Sequence, residues 1–194
     1  MNAAVKGLLA AGCSLALMFG VVGCGSNSNE AKDSSSTATS ESQSTNSSAQ
    51  AEYQKFLDIK LGMTEDEVDA ILGEPTEVTD DYHIYTMDVD GTDAEIKIMF
   101  DKDGKVTSKN ADIASSEYKE AFGDSNVNFT DAQKINDKEV TTYNEFVQLL
   151  GTDGMLYSEN DNGYTSYFWL NNDGGIVRAT FDSDGDMTIA NGVY

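Results

Sequence analysis

The segment Ile96-Lys97-Ile98-Met99-Phe100-Asp101-Lys102-Asp103-Gly104 recurs in outline as Val177-Arg178-Ala179-Thr180-Phe181-Asp182-Ser183-Asp184-Gly185, 81 residues further on. Each copy opens with an aliphatic residue and a cation and closes with Phe-Asp-x-Asp-Gly. In the first copy Ile96, Ile98 and Phe100 alternate with Glu95, Lys97 and Met99, the period-2 pattern of a strand with one buried face. The closing Asp and Gly are the residues of a hairpin turn. A strand and turn written twice predict a fold built twice.

The flanks repeat as well. Thr64-Glu65-Asp66-Glu67 precedes Val68, Ile71 and Leu72, then Gly73 and Pro75. This is a capping box, a helically spaced apolar face and a Gly/Pro stop. Thr142-Tyr143-Asn144-Glu145 precedes Phe146, Leu149, Leu150 and Gly151 at an offset of 78, so three residues are inserted between helix and strand. Strands are expected at His83–Val89, Glu95–Phe100 and Lys105–Lys109, and again at Tyr164–Leu170, Ile176–Phe181 and Met187–Ala190. Tyr53, Phe56 and Ile59 suggest a first helix, with a weaker counterpart at Phe129–Ile135 and a connecting helix at Ser115–Phe122. The expected class is α+β: two tandem helix–loop–helix plus antiparallel-sheet repeats, residues 51–114 and 129–194, joined by a connector at 115–128. A unit of about 70 residues is marginal alone. The repeats are therefore expected to share a core or set their sheets side by side, with the helices on one face.

Before these repeats lie a short positive segment ending at Lys6 and an apolar run from Gly7 to Val22. That is a secretory-signal layout, too short to span a membrane. Val21-Val22-Gly23-Cys24 resembles the lipobox of bacterial lipoprotein signals, which implies removal of residues 1–23 and lipidation of Cys24. Cys13 lies in the removed part, so the folded region has neither a thiol nor a disulfide. Residues 24–50 are largely Ser, Thr, Asn, Ala and Gln, a composition expected to stay disordered and to act as a tether of roughly 25–30 Å. The expected location is the outer side of a cell membrane, held there by lipid alone.

Twelve Lys and Arg stand against 34 Asp and Glu, a net charge of −22. Such a surface repels nucleic acid and anionic lipid and favours solubility, cations or a basic protein surface. Asp182-x-Asp184-x-Asp186 resembles the opening of a calcium loop, but Met187 and Val193 stand where that loop needs Gly and Glu. The Asp-rich segments are read as hairpin turns, with no metal and no cofactor expected. His83, the only histidine, has no nucleophile indicated beside it, and no catalytic carboxylate pair stands out. No enzyme activity is expected. Tyr164, Tyr167, Phe168 and Trp169 cluster in one strand, and Tyr82 and Tyr85 in the corresponding earlier one. Tyr167 and Trp169 point to one face, and Phe168 and Leu170 to the other. One set belongs to the core; the other either lies on an open sheet face, where Tyr85, Tyr167 and Trp169 are the expected contact residues, or is buried by the other repeat or by loops.

Phe56-x-x-Ile59-x-x-Gly62-Met63-Thr64-x-x-x-Val68-x-x-Ile71-x-Gly73-x-Pro75 resembles the start of the SmpA/OmlA and β-lactamase-inhibitor-protein superfamily. The first group are small envelope lipoproteins that support outer-membrane protein assembly; the second are secreted inhibitors built from two tandem repeats. The resemblance implies that a concave sheet face and one hairpin loop per repeat meet the partner. Asp93 stands where the inhibitors' first loop inserts an Asp, whereas Asn171-Asn172-Asp173 replaces the aromatic residue of their second loop. The inhibitors also carry disulfides, which this domain lacks. The expected function is non-enzymatic protein binding through the sheet face; the alternatives are β-lactamase inhibition and a structural role in envelope assembly.

Overall fold

Both capping boxes form as their sequences require. In the computed structural model, which describes residues 42–194, the helices are α1 (Ser42–Asp58), α2 (Glu65–Leu72), α3 (Lys119–Phe122), α4 (Phe129–Asn136) and α5 (Tyr143–Leu150). The strands are β1 (Glu77–Val78), β2 (His83–Val89), β3 (Thr92–Phe100), β4 (Val106–Ala111), β5 (Met155–Asn160), β6 (Thr165–Leu170), β7 (Ile176–Phe181) and β8 (Met187–Val193). The Thr64 and Thr142 hydroxyls accept from the Glu67 and Glu145 amides, and each Glu carboxylate accepts from its Thr amide at 2.8 and 3.0 Å. These bonds satisfy helix donors that have no partner within the helix. They also hold both carboxyls below the ordinary glutamate range. Thr64→Ala and Thr142→Ala are each expected to cost about 1 kcal/mol, measured by urea unfolding. Equal midpoints for variant and parent would show that the caps carry no weight.

The expected signal segment 1–23 and the expected lipid site at Cys24 lie outside the described residues. The linker expected to run to Gln50 is shorter than its composition suggests. Helix α1 already begins at Ser42, and Ala49 on it is fully buried. Polar composition argued for disorder there, but docking on the core stabilises the helix regardless of local propensity. Among the described residues no helix is long and apolar enough to cross a membrane.

The eight strands form one antiparallel sheet in sequence order, β1 to β8. Four strands belong to each repeat, one more than the sequence pattern shows. β1 has two residues, too few to display a period, and β5 carries a bulge between Leu156 and Ser158 that breaks its alternation. The two halves join where Ser108, Lys109 and Asn110 of β4 pair with Asn160, Glu159 and Ser158 of β5. The repeat is visible in its irregularities. Bulges fall at Met99/Phe100 and at Thr180/Phe181, and the cap residues Thr64 and Thr142 bridge to Lys105 and Asp186. The turns share one device. Asp101, Asn160, Asn171 and Asp182 each accept, through one side-chain oxygen, the amides two and four residues ahead. Gly104, Gly163, Gly174 and Gly185 then supply the positive φ.

Two cores result. Beneath the first repeat, Tyr53, Phe56 and Ile59 of the α1 region and Val68 of α2 pack on Tyr85, Met87, Ile96 and Ile98. Beneath the second, Ile135 of α4 and Phe146 and Leu150 of α5 pack on Trp169, Val177, Ala179 and Phe181. The helices do not keep to one face of the sheet. Phe168, Leu170 and Ile176 point away from α5, yet they are buried in the first core with Tyr53 and Phe122. Strand-to-strand twist of roughly 20–25° accumulates across eight strands, and the β5 bulge adds to it. The far side of β6 and β7 is thereby covered by the first repeat's helix and the connector. Arg178 fastens this contact by donating from Nε to the Ala114 carbonyl at 2.7 Å.

Burial raises the pKa of Tyr53, whose hydroxyl donates to the Leu156 carbonyl at 2.9 Å, and pushes Tyr118 up to about 12. An unfolded tyrosine ionises near 10. Folded protein therefore holds protons that the unfolded chain has lost, and stability should fall as pH rises from 10 toward 12. Urea unfolding combined with phenolate absorbance tests this. A flat stability profile, or phenolate appearing before unfolding, would contradict it.

Candidate functional site

On the sheet face away from α2 and α5, one register row stays partly exposed. Glu77 pairs with Ile84, Ile84 with Lys97, and Lys97 with Asn110. The row continues through Ser158, Ser166 and Thr180 to Ile189 on the last strand. Residues directly opposite one another in a sheet project to the same side, so this row crosses all eight strands on one face. Its centre is made of short polar side chains. Asn110, Ser158, Ser166 and Thr180 are half-buried, and the Ser166 and Thr180 hydroxyls lie 2.8 Å apart in a hydrogen bond. Short side chains leave a low surface of hydroxyl and amide groups that a partner can approach closely.

Charge gathers at the β2–β3 end. Thr86, Asp88, Asp93 and Glu95 are exposed there, and Lys97 lies 2.8 Å from Glu95, whose carboxylate raises the Lys97 ammonium above its ordinary value. Among the described residues no group of three His, Cys, Asp or Glu side chains is placed to hold a metal ion. The Asp-Gly segments spend a carboxylate oxygen of Asp101 and of Asp182 on their own turn amides, as hairpin turns do.

The structure separates the four expected contact residues. Asp93 is exposed at the hairpin end of the open face, directly across from Asp88. Tyr85 and Trp169 are not on that face, since each is only 1% exposed. The Tyr85 hydroxyl donates to Asp69 Oδ1 of α2 at 2.8 Å, and Trp169 Nε1 donates to the Thr152 carbonyl at 2.9 Å while its ring packs on Phe146. Tyr167 is half-buried on the same helix side, its ring 4.7 Å from that of Tyr143. Sequence alternation correctly set Tyr167 and Trp169 opposite Phe168 and Leu170, but both sets are covered, by different helices. The aromatics with real exposure include Tyr82 and Tyr164, at 38% and 44%. Asn171, where the inhibitors' second loop would offer an aromatic ring, is buried and binds the Val127 carbonyl.

Sequence reading missed Lys109. Its side chain is 1% exposed, its Nζ donates to the Phe56 and Ile59 carbonyls at 3.1 and 2.7 Å, and Glu159 Oε1 lies 3.2 Å away. The ammonium also sits 4.6 Å from the centre of the Phe56 ring. Burial lowers its pKa, and the Glu159 carboxylate works against that shift. One signal was available: Lys109 sits two residues before Ala111 and three after Val106, so it shares a strand with buried positions.

His83 lies with Nδ1 3.2 Å from Glu65 Oε1 and its ring beside Phe100. A groove of about 380 Å³ lies between α4 and β8, lined by Phe129, Ala132, Asn136 and Val193 among others.

These features define a class: a two-repeat α+β protein with one continuous antiparallel sheet, helices over its cores, and a polar sheet face left open. The family model described as Beta-lactamase inhibitor (BLIP) matches residues 52–167, more than half of the chain, and the chain belongs to that family. The match runs from α1 through the first repeat and connector and ends within β6. Among solved structures, a DUF4309 family protein (YjgB) from Bacillus subtilis subsp. subtilis str. 168 is similar at 12% identity. The similarity covers 78% of this chain and 95% of that one, with a TM-score of 0.32. No curated protein matches the chain.

Proposed function

We propose that this protein is a lipid-anchored surface protein that binds another protein, without catalysis, through the open face of its sheet. The observation that carries this reading is the register row from Glu77 to Ile189, a polar surface spanning both repeats while the large aromatics are spent on the cores. Membership of a family described as inhibitors supports contact with a protein. The lipobox-like Val21-Val22-Gly23-Cys24 supports anchoring at the membrane, and the net charge of −22 favours a partner that is basic where it touches.

Ser166→Arg sets a long cation in the centre of the row without entering either core. Cross-linking on intact cells with the full chain is expected to capture a partner that this substitution weakens by about tenfold or more, with circular dichroism and Tm unchanged. A partner captured equally by the variant would place the site elsewhere. Cys24→Ser should move the protein from the membrane fraction to the soluble one, and retention in the membrane would remove the lipid anchor from this account.

Family membership and the exposed Asp93 on the open face favour a second reading, direct β-lactamase inhibition. The protein added to nitrocefin hydrolysis by several β-lactamases tests it. Unchanged rates across the panel would end that reading and leave binding to another protein.

A further inference from the structure

The outer edge of β2 carries main-chain groups with no strand beside them. β1 pairs only with His83 and Ile84, and the Ile84 carbonyl accepts from the Thr76 amide at 2.7 Å on that side. Successive residues of an antiparallel strand direct their N–H and C=O groups to alternate sides. Tyr85, Met87 and Val89 therefore bond toward β3, and Thr86 and Asp88 point outward. Among the described residues, no main-chain hydrogen bond reaches Thr86 or Asp88 from that side, and both residues are exposed. The sequence accounts for the vacancy. If β1 were extended in register, Pro75 would stand against Thr86 and Gly73 against Asp88. Proline has no N–H to give, and Gly73 turns the chain away at φ 86° as it ends α2.

The opposite edge of the sheet is treated differently. There the Asn136 side chain bonds both the N–H and the C=O of Gly192, each at 3.0 Å. Helix α4 lies so close that a Cβ on Gly192 would stand 2.9 Å from the Ala132 Cα. Open edges invite strand pairing and proteins commonly blunt them; this one blunts β8 and leaves β2 free.

We infer that the Thr86–Asp88 edge of β2 accepts an extended, basic segment of a partner protein as an added strand. Main-chain donors and acceptors in alternation select an extended polypeptide. Asp88, Asp90 and Asp93 around that end select positive charge, while Lys97 is already paired with Glu95. A second copy of the chain would bring the same carboxylates against themselves, at −22 per chain. The inference rests on the reading that the protein binds protein, but not on the open face being where it does so.

The probe is a labelled, end-blocked peptide of alternating Lys and Val, titrated by fluorescence anisotropy into the full chain in detergent micelles. Saturable binding is expected, with hydrogen exchange at the Thr86 and Asp88 amides slowed by roughly tenfold or more and exchange at Tyr85 and Met87 little changed. Thr86→Pro removes an outward N–H and leaves the β2–β3 ladder intact, so it should weaken binding by about tenfold or more. A peptide N-methylated at alternate residues should lose affinity likewise. Unchanged exchange at Thr86 and Asp88 in the unsubstituted chain would overturn the proposal even if Thr86→Pro failed to fold. Equal binding of a Glu-Val peptide, or pairing of two chains through this edge in sedimentation, would also overturn it. Ser166→Arg separates the two surfaces. Peptide binding lost with Ser166→Arg but kept with Thr86→Pro would support the sheet face and refute the edge.

Discussion

Lys109→Met is expected to lower the unfolding free energy by about 3 kcal/mol or more, the cost of removing one partner from a buried ion pair. Met keeps the apolar stem, so the loss reports on the ammonium group. That group holds the Phe56 and Ile59 carbonyls at the end of α1 and pairs with Glu159 across the junction of the repeats. Without it, two carbonyls lose their donor and a mostly covered carboxylate loses its counter-charge. The double variant with Glu159→Gln should recover part of the loss, because the carboxylate then no longer needs a partner. Urea unfolding of the four proteins gives the coupling, and strictly additive effects would show that the pair does not act as one. The pH dependence has a definite sign. Burial holds the folded Lys109 pKa below its ordinary 10.5. As pH rises through that window the folded state gives up the proton first, so the unfolded state binds more protons and stability rises. The gap between the unsubstituted protein and Lys109→Met should therefore widen as pH approaches 10.5. A constant gap would contradict the lowered pKa.

Trp169→Ala should cost about 3–5 kcal/mol, the range for removing a buried aromatic side chain. The indole fills the second core against Phe146 and Tyr143 and spends its N–H on Thr152. Gly154 lies directly on it, since a Cβ there would stand 2.6 Å from the ring. Truncation leaves a cavity between α5 and the sheet and strands the Thr152 carbonyl. Trp169 is the chain's only tryptophan, so its emission should be that of a buried indole and shift red on unfolding. Emission of a solvated indole in the native protein would return Trp169 to the surface. Any binding defect in Trp169→Ala would follow from lost folding, which is why the test of the face uses Ser166.

The particular elements show where sequence reading succeeded and where it stopped. α2 and α5 were legible because their caps, apolar spacing and glycine stops lie within about ten residues. β2 and β7 were legible to the residue, since alternation and flanking turns are local. β1 and β5 were not: one is too short to show a period, and the other loses it at a bulge. Asp93, singled out by resemblance, is exposed at the start of β3 across from Asp88. Tyr85 and Trp169 were misplaced because alternation says which residues share a face and says nothing about what covers it.

By itself the sequence determined the repeat, its caps and turns, the α+β class and the acidic surface, all properties of neighbours along the chain. The tertiary structure alone decided that the eight strands form one sheet and that its twist brings α1 and the connector onto the second repeat. It thereby decided that the Phe168–Leu170 end of β6 is buried on both faces and that a lysine serves as the clasp between repeats. Those outcomes depend on contacts between residues far apart in the chain, where accumulated twist sets which surfaces meet.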